Sequence, residues 1–84
     1  MSLIYIGKIG HKKVFITPYS QKRLVLRNLI SKEVLQILIK RDISYPVDED
    51  GRQKIRSTIS NNKKTFLTIL EDSKKIIVIT GGEA

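Results

Sequence analysis

Three cations at alternate positions, Arg52, Lys54 and Arg56, carry the clearest chemical signal in this 84-residue chain. In an extended strand, residues two apart emerge on the same face, so the three heads share one side. Arg23 and Arg27 stand four apart, which on a helix sets them along one edge. A planar guanidinium grips two phosphate oxygens at once, and an ammonium adds a point charge beside them. We therefore read Arg23, Arg27, Arg52, Lys54 and Arg56 as a phosphate-binding surface, with Tyr19 as a hydrogen-bond donor or stacking ring. The plainer reading is a solvated strand face, with Arg23 or Arg27 paired to Asp48, Glu49 or Asp50. Metal-free cleavage of RNA would need a base for the 2′-hydroxyl, an acid for the leaving oxygen and cations for the phosphorane. The sequence identifies no such base; its candidates for a catalytic role are Arg23, Arg56 and Tyr19.

Other chemistries are poorly served. There is no cysteine and a single histidine, His11. Disulfides and thiolate chemistry are thereby excluded, and a zinc site would need carboxylates that are scattered or sit in turns. No metal and no cofactor is expected. His11 falls at a glycine-containing tip and reads as a solvated turn residue. Gly7 and Gly10 lack the lysine and spacing of a phosphate loop, and the serines lack a histidine partner. Aromatic residues make up 6% of the chain, too few for an evident base-stacking platform.

The formal net charge is +8, and its placement is uneven. Residues 1–41 hold nine Lys or Arg against one acid, Glu33, whereas residues 42–84 hold seven of each sign. Such asymmetry creates a directed field that attracts phosphate backbones or an acidic protein. No apolar run approaches the roughly 20 residues that span a bilayer. The N-terminal MSLIYIGKIGHKK lacks a basic leader ahead of its short apolar part, so the expected address is cytoplasmic with no membrane partner.

The elements that must position these cations follow from patterning, and the length suits one domain spanning 1–84. Residues 1–17 read as a β hairpin with a basic tip at Lys8 to Lys13. Residues 18–41 read as two short helices. Thr17 caps the first and Pro18 occupies its first position. Tyr19, Val25, Leu26, Leu29 and Ile30 are expected to form its apolar stripe, which leaves Leu24 outside. Ser31 is expected to cap the second helix, with Glu33 in its first turn. Ile43 to Val47 is a connection in which Pro46 forbids helix. Residues 52–80 then form a three-stranded meander, closed by a frayed tail at Gly81 to Ala84. The expected fold is α+β, a helical hairpin packed on an antiparallel sheet in the order β-β-α-α-β-β-β.

Arg23-x3-Arg27, Leu29, the run Val34-Leu35-x-Ile37-Leu38, a proline-containing loop, Asp48-Glu49-Asp50-Gly51-Arg52 and a closing Ile77-Val78-Ile79-Thr80 have a further bearing. Together they resemble a small domain family of unknown function that is grouped with the RelE/ParE toxin superfamily and is similar to BrnT-type ribonuclease toxins. The resemblance spans roughly residues 16–80. It implies a RelE/ParE-like fold and a toxin of a toxin-antitoxin system that acts on RNA or the ribosome and is held in check by an acidic antitoxin. The chain departs from that family at several points. Tyr19-Ser20 stands where the family has His-Ala, Asn28 replaces its interhelical glycine, and Ile30 replaces its Ser or Thr cap. RelE-type ribonucleases also carry a tyrosine or histidine near the C-terminus, and nothing beyond Thr80 supplies one. These departures bear on cleavage more than on fold. The alternative reading is a non-catalytic module of the same fold that binds nucleic acid or a protein.

Overall fold

A computed structural model describes residues 2–84. The chain opens with a hairpin of β1 (Ile4–Ile9) and β2 (Lys12–Ile16), turning at Gly10, whose φ of +60° suits a residue without Cβ. Two helices follow, α1 (Pro18–Leu26) and α2 (Ser31–Lys40). The remainder is strand: β3 (Ile43–Ser44), β4 (Arg52–Ile59), β5 (Lys63–Glu71) and β6 (Lys75–Glu83). Between β4 and β5 the chain turns through Asn61 and Asn62, both at positive φ, a conformation asparagine tolerates.

The strands form one six-stranded sheet in the order β1-β2-β6-β5-β4-β3. Two corrections to the expected architecture follow. The segment 52–80 does run as an antiparallel meander, but β6 lies parallel to β2, so the sheet is mixed. From Lys75 to Val78 this apolar strand pairs with β2 on the edge away from β5, so it runs inside the sheet there. In addition, Ile43 and Ser44 pair with Arg56 and Ile55, which turns the expected connection into a short edge strand. Pro46, with no donor to offer a ladder, stands just beyond the end of this pairing.

Both helices cover one face. Val14, Ile16, Ile55, Leu67, Ile69, Ile76 and Val78 from the sheet meet Leu24, Leu29, Val34, Ile37 and Leu38 from the hairpin to form the core. Of the expected stripe of α1 only Leu29 is buried: Leu24, left outside it, is 2% exposed, whereas Tyr19, Val25, Leu26 and Ile30 are 64%, 63%, 85% and 57% exposed. The physical reason lies in β6. Its pairing with β2 ends at Val78, and α1 lies along the edge left bare. The Ser20 hydroxyl donates to the Ile79 carbonyl, Arg27 Nη1 donates to Gly81 O at 3.3 Å, and the Glu83 amide donates to Arg27 O at 3.3 Å. To make these bonds α1 must turn its Ser20 and Leu24 side inward. Thr17 caps it as expected, accepting from the Ser20 amide at 3.0 Å.

Two further expectations change. Ile30 is the N-cap of α2, so Ser31 is already helical; the cap is half satisfied because the Ile30 amide donates to Glu33 Oε1 at 3.1 Å. Gly81 to Glu83 is not frayed but belongs to β6, with both glycines buried. A Cβ on Gly81 would lie 2.5 Å from Leu67 Cδ2 and 2.7 Å from Phe66 O, so only glycine permits this approach.

An ion triad joins three elements at the other end of the sheet. Glu71 of β5 accepts from Lys12 of β2 and from Arg41 after α2, both at 2.9 Å. Burial pushes the Glu71 carboxyl up, but the bonds from Arg41 and Lys12 outweigh it and hold the group below the usual carboxylate value.

Two stability predictions follow. Leu24→Ala should cost about 2–5 kcal/mol in urea denaturation, and Leu26→Ala should stay within about 0.5 kcal/mol; equal losses would refute the orientation of α1. Because Glu71 is depressed in the folded chain, its contribution is present above the ordinary carboxylate pKa of about 4.3 and fades as pH falls through its folded value. Glu71→Gln should therefore show a shallower loss of stability on acidification below about pH 4.5 than the parent chain.

Candidate nucleic-acid interface

Because both helices sit on one side, the opposite face of the sheet is free of them, and strand register determines what it displays. Buried Val14, Ile55, Leu67, Ile76 and Val78 point to the core, so their strand neighbours point outward. Pairing then orders the outward residues in rows. Lys8, Lys13 and Lys75 form the first. Tyr5, Phe15, Ile77, Leu70 and Arg52 form the second. Thr80, Thr68 and Lys54 form the third, with Tyr45 beside them because its amide donates to Lys54 O at 2.9 Å. Gly82, Phe66, Arg56 and Ile43 form the fourth, and Lys64 and Thr58 the fifth.

Rings and cations therefore interleave. Lys54 Nζ stands 5.5 Å from the centre of the Phe66 ring and Arg56 Cζ 5.9 Å from that of Tyr45. Tyr5 and Phe15 pack edge to face with ring centroids 5.8 Å apart. Of the chain's three tyrosines and two phenylalanines, only Tyr19 lies off this face. Composition alone argues against a cluster of rings; register gathers four of the five on one face.

The cations singled out from sequence are placed as follows. Arg52, Lys54 and Arg56 are exposed on neighbouring rows of the helix-free face. Arg27 reaches its rim from α1, donating to Thr80 Oγ1 at 3.3 Å, and its stem fills the space where Gly82 has no side chain. Thr80 and Lys54 are two strands apart, about 10 Å at the usual strand spacing. Arg23 remains on the α1 flank, where it donates to the Tyr19 hydroxyl and lies 5.3 Å from the ring centre. The cations thus line a face with a helical margin. Sequence reasoning missed Lys8, Lys13, Lys64 and Lys75, and with them Tyr5, Phe15, Tyr45 and Phe66. The available signal was the alternation Lys64-x-Phe66-x-Thr68-x-Leu70, in phase with Arg52-x-Lys54-x-Arg56.

The carboxylates are engaged elsewhere. Among the described residues, none of Arg23, Arg27, Arg52, Lys54 and Arg56 has a carboxylate within 4.0 Å; the ion pairs are those of Lys12 and Arg41 with Glu71, Lys40 with Asp42, and Lys63 with Glu33. The hydrogen bond from Lys63 holds the Glu33 carboxyl below its ordinary value, against a smaller upward push from burial. Asp48 accepts from the amides of Asp50 and Arg52, both at 2.9 Å, and so closes its own turn. Asp72 is held low by the amides of Lys74 and Lys75. Among the described residues, no strand position on the helix-free face is acidic; the Asp42 carboxylate, just ahead of β3, reaches its corner.

His11 belongs to neither group. Its Nε2 lies 3.0 Å from Ser73 O at the hairpin tip. From Lys75 to Gly82, beside Phe66, β6 runs seven residues, or about 23 Å at the usual rise. The histidine is therefore remote from the Phe66 and Arg56 row. No protein-family model, no curated protein and no solved structure matches this chain.

Proposed function

We propose that the helix-free face of the sheet binds single-stranded RNA. The observation that carries this reading is the interleaving of Phe66, Tyr45, Phe15 and Tyr5 with cations that no carboxylate neutralises. Single strands are held by such a combination because every base has a π-face to stack while its phosphates seek positive charge. A duplex hides the faces of its bases, so it gains the charge term alone. In this reading Arg52, Lys54, Arg56 and Arg27 hold phosphates, Phe66 and Tyr45 take bases, and Arg23 with Tyr19 extends the track onto α1.

Binding without cleavage is the form the chemistry favours. The strand residues described on this face are cations, rings, apolar side chains and threonine hydroxyls; the Asp42 carboxylate at its corner accepts the Thr58 amide, and His11 is remote. Among these strand residues none serves as a general base near neutral pH. The toxin role suggested by the sequence pattern stays a proposal in the same frame. An acidic antitoxin would cover this positive face, and a ribonuclease would need groups supplied from outside it.

Two variants separate charge from stacking. Arg56→Ala should flatten the plot of log affinity against log salt by about 0.7 for each phosphate that the side chain no longer neutralises. Phe66→Ala should weaken binding of a single-stranded oligoribonucleotide by about 1–3 kcal/mol with the salt slope kept. Unchanged affinity in both variants would overturn the interface. Overproduction should leave growth unaffected if the protein only binds; growth arrest relieved by a neighbouring acidic protein would instead establish the toxin reading.

A further inference from the structure

A cavity of about 260 Å³ opens at the corner of this face where β3 begins, and its lining includes Asp42, Ile43, Arg56, Thr58 and Lys64. Pockets for drug-sized ligands run from about 300 to 1,000 Å³, so this one suits a single heterocycle. Its walls bring the Asp42 carboxylate together with Arg56 and Lys64. Asp42 is the acidic side chain that reaches the face, and its position is built. Arg41 takes a left-handed conformation, φ +41°, that ends α2 and turns the chain. The Asp42 amide then donates to the buried Ser57 hydroxyl at 3.0 Å. Asp42 Oδ2 accepts the Thr58 amide at 2.9 Å and lies 3.7 Å from Lys40 Nζ. Its other oxygen, Oδ1, makes no hydrogen bond to the described residues, and the side chain is 39% exposed.

We infer that this cavity reads guanine in the bound strand, an inference that rests on the RNA-binding reading above. Among the four bases, only guanine presents two adjacent N–H donors, N1–H and the N2 amino group, on its Watson–Crick edge. Asp42 Oδ1 is open to one of these donors, and Oδ2, which keeps a second lone pair beside the one that the Thr58 amide uses, can take the other. Guanine's opposite edge offers O6 and N7, the acceptors that an arginine fork grips most readily, and Arg56 lines the same cavity. Adenine and cytosine each offer a single amino group here, and uracil a single imide N–H. Splayed bases of single strands are read on these edges. Arg56 thus faces the phosphate track and the base pocket together, Asp42 supplies the discrimination, and Lys64 supplies charge beside it.

The test compares oligoribonucleotides of about ten uridines, with and without one central guanosine, and a third that carries inosine, which lacks the N2 amino group. The parent chain should bind the guanosine oligomer about tenfold or more tighter than all-uridine, within the range of a two-point base contact, with inosine between them. Asp42→Asn, which keeps an acceptor for the Thr58 amide, should lose that preference while binding the all-uridine oligomer no more weakly than the parent does. A parent that binds all three alike, or an Asp42→Asn protein that keeps the preference, overturns the inference and leaves RNA binding standing. A parent that binds none of them overturns the underlying reading as well.

Discussion

β6 loses β2 as a partner after Val78, and the way α1 fills the bare edge controls the rest of the molecule. An unpaired strand edge in a protein interior is costly, because each orphaned amide or carbonyl forfeits its bonds to water. Here Ser20 and Arg27 satisfy two carbonyls, and the Glu83 amide returns a bond to Arg27. This seat rotates α1 until Leu24 enters the core, holds Gly81 and Gly82 in the strand, and carries the Arg27 guanidinium to the rim of the opposite face. It also draws the helical hairpin wholly to one side, which leaves the other side open.

That open side explains the separation of charges better than the linear distribution does. The early segment carries the whole net excess, yet the exposed face takes Lys8 and Lys13 from it and Arg52, Lys54, Arg56, Lys64 and Lys75 from the later, neutral segment. The acids of that later segment are spent at turns and ion pairs. Asp48 and Asp72 tie amides of their own turns, Glu71 joins β5 to Lys12 and Arg41, and Glu83 accepts from Asn28. Neutral overall, the segment becomes basic on one side because strand alternation sorts its charges.

The exposed apolar residues of α1 have a similar origin. Val25 and Leu26 satisfy a helical period that would bury them if the hairpin lay flat on the sheet. With no side-chain oxygen at Ile30 to cap α2, the side-chain part of the cap falls to the Glu33 carboxylate, and Ile30 remains exposed. Periodicity counts apolar positions, whereas docking depends also on which residues are small enough or polar enough to meet a strand edge. Ser20 decides the matter because a hydroxyl can bond the Ile79 carbonyl and a larger apolar side chain cannot.

The division between local and tertiary information can be traced through particular residues. Thr17-Pro18 started a helix, Gly10 and Asn61-Asn62 turned hairpins, and the alternation of Arg52, Lys54 and Arg56 put three cations on one side. Each follows from backbone sterics and periods of 2 or 3.6 residues, which act within a few positions. Local patterning could not pair β6 with β2, rotate Leu24 inward, turn Ile43 and Ser44 into an edge strand, or bring Phe66 beside Arg56 and Asp42 beside Lys64. Those outcomes depend on register between segments far apart in the chain, and register is set by satisfying buried backbone groups and filling one shared core. The types of residue that could bind a nucleic acid were therefore legible in the sequence; the face on which rings and cations meet was decided by folding.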